Sequence, residues 1–247
     1  MKFVTASICK QGGRQYNQDF AASSINSECA CLVVCDGLGS YVGSEVASSL
    51  CARKILDSFS EVKKAPKKFV DQKAIYDYIF DAHNFVVKYK EDKPKLISSC
   101  TTVASVFSNF DKTILAHIGD SRVYYFSQGK LKLQTFDHSM SQAAVDRGEI
   151  KLSQIRNHKD QNKLTRVIGT DYFAEPDCQT LDAPLQVGDW ILICTDGWWE
   201  YVFEEEMEGV FRISKSPEDA INRMEKRLIK RAPFNNDNYT AIVAQIV

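Results

Sequence analysis

Two hydrophobic periods divide the chain. Short runs rich in Val, Ile, Phe and Tyr, near residues 2–9, 29–35, 101–108, 112–119, 122–127, 190–195 and 239–247, read as β-strands. Between them the apolar positions follow a helical repeat: Ala47, Cys51, Ile55 and Phe59 share one face, and Ile75, Ile79, Ala82 and Val86 step by four, three and four on the next helix. The run Ser216-Pro217-Glu218-Asp219 announces a third helix, with a serine cap, a proline suited to the first position and two carboxylates facing the positive helix end. Its apolar face would be Ile221, Met224 and Leu228. The basic loop KKAPKK at 63–68 reads as a solvated connection. Paired helices set between blocks of strands, without strict alternation, predict α+β packing over a parallel doubly wound sheet. With no internal repeat or low-complexity linker, one domain over 1–247 is expected.

Two strands finish alike. Residues 32–37 read LVVCDG and 191–197 read ILICTDG, each a branched apolar run ended by Asp-Gly. Asp-Gly is a favoured hairpin turn, which is one reading; the other is that both aspartates sit at one end of a sheet and share a ligand. Composition narrows the ligand. A mixture of 44% apolar and 26% charged residues is that of an ordinary globular domain. With 31 basic against 32 acidic residues there is no global field for nucleic acid or an anionic membrane, so an anionic substrate must be held locally. The eight cysteines form no CxxC pair and no zinc-type spacing, and Cys29, Cys31 and Cys35 alternate along one strand as core-facing residues do. Buried reduced thiols imply a cytoplasmic protein. The start MKFVTASICKQGG makes a poor signal peptide, and no run approaches the roughly 20 apolar residues of a membrane span.

Three more aspartates stand in small, polar contexts beside strands: Asp19 in RQYNQD, Asp120 in HIGDSR and Asp237 in NNDNYT. Each alone reads as a loop cap. Converged, they would repel, by about 4 kcal/mol for two carboxylates about 4 Å apart at an effective dielectric near 20, and would need cations. An all-carboxylate oxygen site suits Mg²⁺ or Mn²⁺. Two such ions sharing a carboxylate can convert a bridging water to hydroxide and neutralise a phosphoryl group under attack. Spacing along the chain leaves both readings open.

In order, RQYNQD, CDGLGSYVGSEVAS, SSCTTV, HIGDSRV, FDHS, NKLTRVIGT, LICTDGWWE and DNYTAIV resemble the motif set of the metal-dependent protein phosphatases of type 2C (PPM), over about residues 5–247. The segment DRGEIKLSQIRNHKDQNKLTRVIG resembles the bacterial branch. The resemblance implies two packed, mainly antiparallel β-sheets flanked by helices on both outer faces, a four-layer α-β-β-α sandwich with metals at one edge. It implies two Mn²⁺ or Mg²⁺ ions and a third metal position. Asp36 would bridge the pair, the Gly37 backbone carbonyl would bind one ion, Asp196 and Asp237 would complete the second, and Asp120 with Asp196 would make the third. Asp19 would hold metal-bound water, and Arg14 would grip the phosphate through its planar guanidinium. The implied reaction is direct attack of metal-activated water on phosphoserine or phosphothreonine, by a monomer whose partners are phosphoproteins and an opposing Ser/Thr kinase, with no nucleic acid or membrane. Residues 137–170 correspond to the family's flap.

The chain departs from the pattern in places. Many relatives carry histidine where Leu38 stands, and many bacterial ones carry GGH where this chain has GSY with Tyr41, so metal-bound water becomes the expected acid for the leaving alkoxide. His117 reads as a satisfied core histidine, and His138 and His158 as loop-shaping residues. Of Trp198 and Trp199, one is expected in the core and one on a wall near the site. A dinucleotide-binding oxidoreductase fails on spacing, because GLGSYVG has one residue too many for GxGxxG. An aspartyl-phosphate phosphatase would want aspartate at Leu38. An inactive phosphoprotein-binding scaffold would have lost ligands, and all the expected aspartates are present.

Overall fold

The computed structural model describes residues 1–39, 41–62 and 71–247, so the KKAPKK loop lies outside the described residues. Its strands form two five-stranded sheets. One has the order β1 (Phe3–Lys10), β10 (Tyr239–Ile246), β9 (Trp190–Cys194), β6 (Arg122–Ser127) and β7 (Lys130–Gln134). The other runs β2 (Asp19–Ile25), β3 (Ala30–Asp36), β4 (Val103–Ser108), β5 (Thr113–Ile118) and β8 (Asp177–Thr180). Every named strand pair is antiparallel.

Three apolar layers stack four layers of structure. Along β3, Cys31, Val33 and Cys35 pack with Ile55 of α1 (Ser44–Val62) and Ile79 of α2 (Gln72–Lys90). The alternate residues Leu32 and Val34 pack with Val123, Ile193 and Ile242 of the opposite sheet. A strand covered on both faces reads as a continuous apolar run, which is why LVVC shows no alternation. The outer face of the first sheet, with Phe126, Trp190 and Leu192, takes Val210 and Phe211 of α5 (Glu204–Ile213) and Met224 and Leu228 of α6 (Pro217–Arg231). This is the expected sandwich, with helices on both outer faces.

The predicted caps form: Ser216 Oγ accepts the Asp219 N–H at 3.2 Å, with Pro217 as the first residue of α6. Sequence patterning missed β2, β7 and β8, all edge strands whose polar or small residues show little apolar pattern. It also missed α5 and the short helices α3 (Met140–Asp146) and α4 (Asp196–Trp199). Among the described residues, no helix is long and apolar enough to cross a membrane.

Candidate active site

Neither Asp-Gly closes a hairpin. After Asp36, β3 continues into the segment that leads to α1, and Asp196 is the first residue of α4, directly after β9. Asp36 is fixed by its main chain: its carbonyl accepts from Thr102 N and Thr101 Oγ1, each at 2.8 Å, and its N–H donates to Thr102 Oγ1 at 3.0 Å. A Cβ on Gly37 would lie 2.5 Å from the Ser44 carbonyl oxygen and 2.6 Å from that of Gln18, so only glycine fits. Asp19 opens β2 as the register partner of Asp36.

The other sheet delivers the rest. Asp196 follows β9, Asp237 stands just before β10, and Asp120 follows Gly119 in the turn from β5 to β6. A hydrogen bond crosses between the sheets, from Thr195 Oγ1 to Asp19 Oδ2 at 2.9 Å. Arg14 arrives on a loop laid against residues 234–238. Asn238 Nδ2 donates to the carbonyls of Gln11 (2.7 Å) and Tyr16 (2.9 Å), and its Oδ1 accepts the Gln18 N–H at 2.9 Å. Gly12, at φ +61°, brings the loop so close that a Cβ would sit 2.1 Å from the Asp237 carbonyl oxygen. Arg14 Nη2 thereby reaches Asp237 Oδ2 at 2.6 Å.

The five aspartates, Arg14 and Gly37 are thus brought to one end of the sandwich. Arg14, Asp36, Asp120, Asp196 and Asp237 line a cavity of about 610 Å³, with Asp19 buried behind them. Burial, and after it the charges of neighbouring aspartates, holds the carboxyls of Asp36 and Asp120 well above the usual carboxylate range. Asp19 and Asp196 are pushed to about 7, again by burial first. Asp19 Oδ1 is buried with no hydrogen-bond partner. An all-oxygen set of mutually repelling carboxylates with an unsatisfied acceptor fits hard divalent cations.

Several neighbours escaped sequence reading. Thr195 and Asn238 each flank a predicted aspartate, and that adjacency was the only signal they gave. Glu200, one helical turn beyond Asp196, accepts from Gln161 Nε2 at 2.5 Å, and burial followed by Asp196 and Asp237 raises its carboxyl to about 8. Trp198 and Trp199 are both fully buried, so neither forms an open wall; Trp199 Nε1 instead donates to the Asp120 carbonyl at 2.9 Å from beneath. That indole stacks on Arg122, 3.5 Å from its centroid, and Arg122 Nε and Nη2 each meet Asp137 at 2.7 Å.

His138 serves the turn before Asp120. His138 Nδ1 accepts the Gly119 N–H at 3.2 Å, and its backbone N–H donates to the Gly119 carbonyl at 2.8 Å. His158 Nδ1 accepts the Asp160 N–H at 3.2 Å, within its own loop. His117 is satisfied on one side only: Nε2 donates to the Phe136 carbonyl at 2.7 Å, while Nδ1 is buried without a partner. His117, His138 and Asp177 bring ligand-type atoms within 4.8 Å of one another. Arg166 Nη1 occupies that place, 2.7 Å from Asp177 Oδ1 and 3.2 Å from His138 Nε2.

The family model for Protein phosphatase 2C matches residues 10–230. The chain belongs to the protein phosphatase 2C family. The phosphatase is 28% identical over 204 residues to the serine/threonine phosphatase stp of Listeria welshimeri, covering 82% of this chain and 80% of that one. Its fold is that of serine/threonine phosphatase Stp1 from Staphylococcus aureus, with a TM-score of 0.86 at 24% identity over 100% of this chain and 96% of the other. The catalytic domain of the serine/threonine protein phosphatase PstP, solved in complex with two manganese ions, superposes with a TM-score of 0.80 at 25% identity, over 100% and 99% of the two chains.

Proposed function

We propose that this phosphatase hydrolyses phosphoserine and phosphothreonine in proteins at a centre of two divalent cations, Mn²⁺ or Mg²⁺, with a third position at its edge. The observation that carries the reading is the meeting of Asp36, Asp120, Asp196 and Asp237 from both sheets with Arg14 around one cavity, with Asp19 acting on Asp36 from behind. Asp36 lies among the other four and would be shared by two cations; the Gly37 carbonyl would serve one position, Asp196 and Asp237 the second, and Asp120 with Asp196 the third. The cations, when bound, neutralise the carboxylates and the transferred phosphoryl group and acidify the attacking water.

The chain's own groups do the positioning. Asp19, held by Thr195, has Oδ1 without a partner, and that oxygen would accept a hydrogen bond from the attacking water and hold it in place. Arg14 turns its guanidinium from Asp237 to two phosphoryl oxygens, holding phosphorus in line with the water. Leu38 has no proton to give, so the leaving alkoxide would take one from a water in the cavity that a bound cation would acidify.

The relatives' names support phosphoprotein substrates and, with them, an opposing Ser/Thr kinase. The buried thiols of Cys35, Cys51, Cys100 and Cys194 support a cytoplasmic setting, and we take the working form to be a monomer. The test is hydrolysis of an aryl phosphate and a phosphothreonine peptide with Mn²⁺, with Mg²⁺ and with chelator, Asp36→Asn serving as the control. Cation-dependent turnover lost in the variant is expected. Folded protein inert with every cation would overturn the reading in favour of a phosphoprotein-binding scaffold.

A further inference from the structure

The cavity is larger than its acidic end. Beyond Leu38 it continues between three loops, where the apolar side chains of Ile97, Cys100, Leu164 and Val167 join the lining beside Ser98, Asn162 and Thr170. These loops are tied to one another by main-chain bonds: Leu38 N–H to the Cys100 carbonyl at 3.1 Å, Thr101 N–H to the Ile168 carbonyl at 3.0 Å, and Ile168 N–H to the Thr101 carbonyl at 2.8 Å. Gly43 packs against Leu96 so tightly that a Cβ there would lie 2.2 Å from Leu96 Cδ2. The shelf is therefore preformed. Its two charges oppose each other: Lys90, 6% exposed, gives its ammonium to the Ser99 carbonyl at 2.7 Å, and Lys90 and Asp171 act on Cys100 in opposite senses. Ile97, by contrast, is 56% exposed. An exposed apolar side chain at the mouth of a reactive cavity is surface that a ligand can cover.

We propose that this half of the cavity receives an uncharged apolar side chain next to the phosphorylated residue of the substrate, with Ile97, Leu164 and Val167 as its walls. The proposal rests on the phosphatase reading above. Once Arg14 and the carboxylate centre hold the phosphoryl group, the substrate backbone must leave through the mouth, and the side chain beside the phosphorylated one then lies over the shelf. A lysine or arginine there meets Lys90 as a like charge and Asp171 as an opposite one, an aspartate or glutamate the reverse, and either sign must shed water against Ile97, Leu164 and Val167. An apolar side chain meets neither penalty and removes Ile97 from water.

The test compares phosphothreonine peptides of equal length that carry Leu, Ser, Asp or Lys before or after the phosphothreonine, with an aryl phosphate to report the chemistry alone. A kcat/KM about tenfold higher for the Leu peptide than for the Asp and Lys peptides is expected, carried mainly by KM. In Ile97→Ser and in Leu164→Ala that ratio falls toward one, whereas Ile229→Ser, at an exposed site on α6, keeps it. Equal kcat/KM for all peptides, with the aryl phosphate turned over normally, overturns the apolar subsite and leaves the phosphatase reading intact. So does a Leu preference that both shelf variants retain. No turnover of the aryl phosphate or any peptide overturns both.

Discussion

Asp19 and Asp36 stand directly opposite each other across β2 and β3, so the register that zips these two strands also sets the spacing of two carboxylates of the candidate site. They do not carry equal weight. Asp36 feels the charges of all four other aspartates, while the strongest carboxylate neighbour of Asp120 is Asp196. Asp36→Asn should therefore lower kcat about 10³-fold or more and remove cation binding, and Asp120→Asn about 10- to 100-fold with two cations retained. Calorimetric titration with Mn²⁺ alongside turnover checks this; equal loss of cations in the two variants would contradict the division of roles.

The aspartates should make the cation-free protein sensitive to base. Asp19 and Asp196 are raised from 3.8 to about 7 on folding, so between those values the folded protein binds protons that the unfolded chain does not. Stability then falls as pH rises from about 4 through 7, and cation binding releases protons and reverses the trend. Melting curves at pH 5 and pH 8, with chelator and with Mn²⁺, should show a lower Tm at pH 8 only under chelation. A Tm independent of pH in chelator would refute it.

Gly197→Ala should cost activity out of proportion to stability. Its Cβ would lie 2.0 Å from the Asn238 carbonyl oxygen and 3.4 Å from Asp237 Cβ, pushing Asp237 aside. A loss of about 1–3 kcal/mol is expected, with turnover falling further than the residual folded fraction explains. Gly148→Ala makes the contrast: at φ +73° with nothing within 4 Å, it should lose stability through backbone strain alone and keep turnover.

Asp137→Ala should destabilise by about 3–5 kcal/mol, because it leaves the Arg122 guanidinium buried without its carboxylate. Asp137→Ala with Arg122→Met should recover much of that loss. Urea unfolding of the single and double variants decides the point, and additive losses would show that the pair does not act as a unit.

The central strands, three helices and the aspartates that meet at the cavity end were legible in the sequence for physical reasons. Strands buried on both faces must be apolar throughout, and carboxylates serving one site need glycine or small neighbours where the chain turns sharply beside them. The edge strands β2, β7 and β8 were not, because only part of their surface is covered. Trp199 could not be assigned its task, since its bond is to a backbone carbonyl that the sequence does not display. Glu200 was hidden because its environment is created by Asp196 and Asp237 only after folding. His117 looked like a contented core residue, yet one ring nitrogen is left without a partner.

Because Asp19 and Asp36 belong to one sheet and Asp196 and Asp237 to the other, the width of the site is the thickness of the sandwich. Leu32, Val123, Ile193 and Ile242, packed between the sheets, set that thickness. They act as a spacer between two pairs of carboxylates: trimming a methyl group from this layer would change the gap between Asp36 and Asp196 without altering either side chain.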